Sequence, residues 1–312
     1  MKINTCVVQD FPIFFDKSAT LKKVLEVVEE AALRGSNLIV FPESFIPGYP
    51  RGFDFGTRIG SRTEEGRRLY QSFYTNSIDL AGEEIKVLEG ASRDHGMYIV
   101  IGISERVKHH GSLYCTMVYI SPRDGLLGYH RKIKPTGSER IIWAESDGST
   151  LSTFDTEIGR MGGLICWENY MPLARMAMYQ KGIQLYIAPT ADSRDSWTIS
   201  MQHIALEGRC FVLSSNQYFT KDLIPEQYQK YVTKEPYEMC RGGSVVVGPD
   251  GKIIAGPLFG QPGILEVEID LTQPVRSKLD FDPVGHYNRE DIFKFEVYKQ
   301  PPIIQETKKS KK

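Results

Sequence analysis

Residues 160–188 read RMGGLICWENYMPLARMAMYQKGIQLYIA, and this stretch decides the fold. Arg160 to Cys166 is a short apolar run, predicted as a strand. A polar turn through Trp167-Glu168-Asn169-Tyr170 leads into a helix predicted over Pro172 to Gln180. Gln184 to Ala188 then reads as a second strand. Side chains at such strand ends project into the site region of an α/β sheet, which draws attention to Cys166.

The same grammar extends in both directions. Ile3 to Val8 is a β-rich run. Ser18 is the predicted N-cap of a helix to about Arg34, with Leu21, Val24, Leu25, Val28 and Ala32 on one apolar face. Gly35 stops it. Asn37 to Phe41 is a short buried strand ending at Pro42-Glu43, and a loop rich in Gly, Arg and aromatics follows from Pro47 to about Gly66. A helix is predicted over Ile78 to His95, then strands over Tyr98 to Ser104 and Leu113 to Ile120. The turn Ser121-Pro122-Arg123-Asp124-Gly125 returns the chain antiparallel along Leu126 to His130. Downstream, Trp197 to Arg209 reads as helix. Phe211 to Ser215, Gly243 to Val247 and Leu265 to Ile269 read as strands, with a hairpin turn at Pro249-Asp250-Gly251. Hairpins interrupting an alternation of strands and helices predict an α/β fold with mixed sheets layered by helices.

Composition narrows the function. With 38 Lys+Arg against 39 Asp+Glu, the formal net charge of −1 offers no electrostatic footprint for nucleic acid or anionic lipid. No apolar run approaches the ~18–20 residues of a membrane-spanning helix. The first residues, Met1 to Gln9, read as strand rather than signal peptide. The five dispersed cysteines show neither disulfide-scaffold density nor CxxC zinc spacing, so a reducing cytoplasmic setting and free thiols are expected. Gly-rich stretches lack dinucleotide or Walker patterning and His109-His110 sits on a turn, so no cofactor and no metal is expected. The basic run at Lys308 to Lys312 reads as a solvated tail.

Three segments carry candidate chemistry. Cys166, at a strand end before a polar turn, fits an activated nucleophile, although a cysteine beside an apolar run, judged alone, is more often a small buried hydrophobe. Glu43, directly after a buried strand, is costly to bury unless partnered or catalytic; its alternative is a helix cap. The basic cluster His130-Arg131-Lys132-Ile133-Lys134 runs to Pro135-Thr136 and a further carboxylate, Glu139, where a solvated face is the plain alternative.

Together the three resemble the nitrilase superfamily of carbon–nitrogen hydrolases. The matching segments are FPESFIPGYP with Glu43, HRKIKPTGSER with Lys132 and Glu139, and GGLICWENYMPLAR with Cys166. PTADSRDSW, HIALEGRCFVLSSNQ and DFDPVGHYNREDIF extend the likeness to about residue 297. The CWEN and KPTGSER segments resemble the nitrile-hydrolysing branch, and GYPRGFDFG (Gly48 to Gly56) is similar to nitrilases acting on cyanoalanine or arylaliphatic nitriles. The resemblance implies a four-layer α-β-β-α sandwich formed by one domain over residues 1–297, with a short tail at 298–312. It also implies a homodimer or higher homo-oligomer paired through a helical face.

The chemistry it implies starts with Cys166 adding to a nitrile carbon to give a thioimidate, with Glu43 taking the thiol proton. Lys132 and the backbone N–H of Trp167 would stabilise charge developing on nitrogen. Water then attacks, ammonia leaves, and a second water hydrolyses the thioester to the acid. Glu139 would hold the Lys132 ammonium in place. Tyr49, Thr136, Tyr170, Pro189, Thr190 and Ala191 are pocket candidates, and Arg51, Arg58 and Arg62 candidates for its mouth. His286 is expected to be structural or interfacial rather than half of a Cys–His pair. An amidase or N-carbamoyl hydrolase of the same superfamily is the alternative activity, and a non-catalytic scaffold the alternative class.

Overall fold

The computed structural model describes residues 1–299, so the basic tail expected at 298–312 lies almost wholly outside the described residues. The first half runs β1 (Lys2–Gln9), α1 (Lys17–Leu33), β2 (Leu38–Val40), β3 (Thr57–Arg58), β4 (Ser61–Arg62), α2 (Glu64–Thr75), α3 (Glu83–His95), β5 (Tyr98–Arg106), β6 (Leu113–Ser121) and β7 (Gly125–Arg131). The second half runs β8 (Thr153–Thr156), β9 (Gly159–Gly163), α4 (Pro172–Gln180), β10 (Leu185–Ile187), α5 (Asp195–Gly208), β11 (Phe211–Ser214) and β12 (Tyr218–Thr220). It ends with α6 (Glu226–Gln229), β13 (Glu238–Val247), β14 (Ile253–Phe259), β15 (Gly263–Asp270) and α7 (Gln273–Ser277).

Two mixed sheets result. One has the order β15-β1-β2-β5-β6-β7; the other runs β12-β13-β11-β10-β9-β8, with β14 paired to β13. The period-2 alternation of a strand divides their side chains between two environments. Val7, Leu38, Val40, Val100 and Met117 from the first sheet share a central core with Leu185, Ile187, Phe211, Leu213 and Val246 from the second. The opposite faces turn to helices. Cys6, Ile39, Ile99 and Val118 pack under α1 and α3, and Tyr186, Val212, Val245 and Val247 under α4 and α5. The layers are therefore helix, sheet, sheet, helix, as the resemblance implies. Apolar residues on both faces explain why strands such as LIV at 38–40 read as continuous runs rather than as alternation.

Several boundaries differ from expectation. The N-cap of α1 is Asp16, whose carboxylate accepts from Ala19 N–H, rather than Ser18. The helix predicted from Ile78 begins at Glu83, because Ile78 pairs with Glu105 as an isolated bridge and Gly82 is an extended cap. α2 went unread: its apolar face rests on only Leu69 and Phe73 in a charged stretch, with Thr63 as the N-cap. β14 (IIAGPLF) is broken in sequence by Gly256-Pro257 and forms as an outer strand because the hairpin at Pro249-Asp250-Gly251 lays it on β13. β8, for which no element is predicted from the sequence, pairs antiparallel with β9. Cys166 is not on the strand predicted to carry it, since β9 ends at Gly163. A Cβ at Gly163 would lie 1.8 Å from the Ile187 carbonyl oxygen, so the chain passes there as bare backbone and turns.

Candidate active site

Glu43 sits in an arch over β5. The N–H groups of Phe41 and Phe45 donate to the carbonyls of Val100 and Gly102, each at 2.8 Å, and residues 42–44 bow out between them. Gly102 makes the arch possible, because a Cβ there would fall 2.3 Å from Pro42 O and 2.7 Å from Glu43 Cα. Ser44 adopts a left-handed φ of 45°, and Gln217 Nε2 donates to Glu43 O at 2.8 Å. Lys132 follows β7 directly, its N–H donating to Cys115 O at 2.8 Å. Glu139 lies in a short 3₁₀ turn, where its N–H donates to Thr136 O at 2.9 Å and its Oε2 accepts the Thr136 N–H at 2.7 Å.

These three charges meet. Lys132 Nζ, with no solvent exposure, donates to Glu43 Oε1 and to Glu139 Oε2, both at 2.7 Å. Tyr49 OH donates to the other Glu139 oxygen at 2.7 Å. Burial pulls the Lys132 ammonium toward its neutral form, but the Glu43 and Glu139 carboxyls outweigh it and hold the pKa well above the ordinary lysine value. Burial raises the Glu43 pKa against the opposing pull of Lys132. Its Oε2 has no protein hydrogen-bond partner, and Cys166 lies among the groups acting on this carboxyl.

Cys166 opens the 3₁₀ turn Cys166–Tyr170 with a left-handed φ of 50°, a strained geometry for a side-chain-bearing residue. Its N–H donates to Pro189 O at 2.9 Å, and Asn169 Nδ2 bridges the carbonyls of Leu164 and Cys166 at 2.9 and 2.8 Å. Thr190 Oγ1 donates to Cys166 Sγ at 3.2 Å. Burial, then the Glu43 carboxylate, push the thiol well above its ordinary pKa. At rest the group is therefore a protonated thiol, and the carboxyl beside it is the group able to take its proton.

The thiol faces a cavity of about 300 Å³ whose walls include Tyr49, Thr136, Glu139, Trp167, Ala191 and Asp192. A recess of about 200 Å³ shares Tyr49, Arg51, Thr136 and Glu139 and adds Phe53, Phe55 and Trp143. Pro189 and Thr190 sit behind the wall and act on Cys166 through the bonds just described. Tyr170 is edge-on to both Trp167 and Trp197 and lies outside the lining. Arg51 lines the cavity and donates to Ala191 O. Arg58 and Arg62 do not reach it; they lie on the exposed β3–β4 hairpin. His286 is exposed, its ring tilted against that of Tyr287.

The sequence reading did not single out Asp192 and Arg194. Asp192 accepts from Trp167 Nε1 at 2.9 Å and from Arg194 Nε at 2.8 Å; although burial pushes its carboxyl upward, these bonds hold the pKa below the usual range. Arg194 also lies over the Trp167 ring. The available signal was a charged DSR run just past the end of an apolar strand, in a segment already matched to the family. Cys115, which donates to Glu43 Oε1 across 3.5 Å, was also missed, because strand periodicity says nothing of cross-strand neighbours. Among the described residues, no group of His, Cys, Asp and Glu has metal-site geometry.

The model of the carbon-nitrogen hydrolase family matches residues 5–276, and the chain belongs to that family. It is 49% identical over 301 residues to an aliphatic nitrilase of Sinorhizobium fredii (strain HH103), covering 96% of this chain and 97% of that one. It is 45% identical over 295 residues to a bifunctional nitrilase/nitrile hydratase of Nicotiana tabacum, covering 93% and 84%. A carbon-nitrogen hydrolase from Helicobacter pylori G27 has the same fold, with a TM-score of 0.74 over 93% of this chain and 97% of that one, at 18% identity.

Gly102→Ala tests the arch. The methyl group meets backbone rather than a flexible side chain, so Glu43 must shift. A loss of kcat on the order of 10²-fold is expected from a displacement near 1 Å. Wild-type kcat in the folded variant would show that the arch tolerates the group.

Proposed function

We propose that this protein is a nitrilase, hydrolysing an organic nitrile to the carboxylic acid and ammonia through a thioimidate and then a thioester on Cys166. The observation that carries the reading is a cavity walled by the Cys166 thiol and by Glu139, with the fully buried Lys132 ammonium bonded to both Glu139 and Glu43, in a chain nearly half identical to a named aliphatic nitrilase.

In this reading Cys166 reacts as a thiol that loses its proton to Glu43 Oε2 while the sulfur bonds to the nitrile carbon. The charge developing on nitrogen is met by Lys132 Nζ and by the backbone N–H of Trp167. Glu43 passes the thiol proton on to the nitrogen, giving the neutral thioimidate and restoring its own carboxylate. Water, deprotonated by Glu43, adds to the carbon. Glu43 returns that proton to the nitrogen, ammonia leaves and a thioester remains. A second water releases the acid and restores the thiol. Glu139, clamped by Tyr49 and Thr136, keeps Lys132 aimed at the reacting nitrogen. The aromatic recess beside the cavity suits an apolar substituent on the nitrile.

We take residues 1–297 as one catalytic domain, on the support of a central core drawn from both halves of the chain. A homodimer or higher homo-oligomer is expected, consistent with exposed Leu173 on α4 and Ile199 on α5. Free thiols at all five cysteines suit a cytoplasmic setting. Among the described residues no helix is long and apolar enough to cross a membrane.

Cys166→Ala is expected to abolish ammonia release from a panel of aliphatic and arylaliphatic nitriles while keeping the wild-type melting temperature. Wild-type turnover by that variant would end the nitrilase mechanism, and faster turnover of matched amides than of nitriles would move the substrate class. The pH profile gives an independent check. Glu43 works as a base only when ionised, so activity is present above its raised pKa and is lost as pH falls through it. Lys132 remains a cation across that window. The acid limb of kcat/KM should therefore lie above the ordinary glutamate value of about 4.3; a limb at or below that value contradicts the assignment.

A further inference from the structure

His130 and Glu168 take no part in the chemistry above, yet each is only 1% exposed. The Glu168 carboxylate is fully occupied. Its Oε1 accepts the N–H of Ile133 at 2.6 Å, and its Oε2 accepts the N–H of Ile165 at 2.7 Å. His130 Nε2 lies 3.2 and 3.0 Å from the same two oxygens and donates to them. The other ring nitrogen rests 3.1 Å from the Thr150 carbonyl oxygen.

The identity of the backbone partners gives the pair its meaning. Ile133 is the residue after Lys132, and Ile165 is the residue before Cys166. Lys132 follows β7 at the edge of one sheet, and Cys166 follows β9 in the other. No ladder of strand hydrogen bonds joins those two sheets, so their spacing at this point needs another determinant. One carboxylate, itself oriented by a histidine two residues before Lys132, grips both chains beside the reacting groups. Both Glu168 oxygens are engaged by donors on two different chain segments.

We propose that the Glu168–His130 pair is a positioning device that sets the Cys166 turn against Lys132 across the two sheets. It rests on the roles given above to Cys166 and Lys132. Glutamine at position 168 has one acceptor oxygen and turns an NH₂ toward a backbone N–H, so one chain loses its grip. Leucine at position 130 removes the side-chain donor that orients the carboxylate. Glutamine at position 130 restores a donor.

The test uses the full chain as Glu168→Gln, His130→Leu, His130→Gln and Cys166→Ala, with ammonia release from an aliphatic nitrile as the assay. Active sites are counted by the final extent of Cys166 alkylation with iodoacetamide, read by peptide mass spectrometry. Per counted site, Glu168→Gln and His130→Leu should lose kcat on the order of 10²-fold, the cost of a displacement near 1 Å, with KM within about threefold of wild type. His130→Gln should recover about tenfold or more of that loss. A pair that merely stabilises the fold would lower the melting temperature and the number of alkylatable sites but leave kcat per site at the wild-type value, and that result overturns the proposal. Turnover by Cys166→Ala would instead overturn the reading of the site, and this inference with it.

Discussion

The ammonium of Lys132 has no contact with water and is held between two carboxylates in the interior of the molecule. An isolated charge in such a place is prohibitively expensive, and breaking a buried pair by removing one partner costs about 3–5 kcal/mol. Much of the surrounding architecture answers to that constraint. Tyr49 and the Thr136 cap hold Glu139, the arch over Gly102 holds Glu43, and Gln217 holds the arch from the second sheet. A surface lysine needs none of this. The extent of support is itself an argument that the charge is kept for use, since an apolar side chain of similar volume would fill the space at less cost.

The second constraint is convergence. Glu43 and Lys132 come from the ends of strands in one sheet, Cys166 from beyond a strand in the other. Backbone strain accompanies the meeting: Ser44 beside Glu43 and Cys166 itself both take left-handed conformations, each costing about 1–3 kcal/mol. Asn169, Pro189 and Glu168 supply the hydrogen bonds that keep the Cys166 turn in that state. A rigid scaffold of two sheets sharing one core holds such a turn more accurately than a free loop would.

Much of this was legible beforehand where the signal is local. Short apolar runs bounded by Gly, Pro and charged residues located most of the strands, because fully buried strands carry hydrophobic residues at every position. Glu43, Lys132, Glu139 and Cys166 stood out because each lies in a segment whose residues resemble one family. What escaped notice had weak local signal. α2 buries only Leu69, Phe73 and Gly66 in a charged stretch, and the apolar run of β14 is interrupted by Gly256-Pro257, a pair that reads as a break in a strand. Arg58 and Arg62 were grouped with the pocket by proximity in the chain, yet the β3–β4 hairpin carries them to the surface while Arg51 stays at the wall.

The sequence by itself determined the family, the helix–sheet alternation and the identity of the chemical groups, since these depend on residue type and short-range order. The tertiary structure alone decided how those groups relate. It moved Cys166 off its strand onto a strained turn, left Glu43 Oε2 without a protein partner, and recruited Asp192, Cys115 and the His130–Glu168 pair. The physical reason is that these relations are contacts between segments far apart in the chain. Their distances follow from the packing of two sheets around a shared core, which no local pattern encodes.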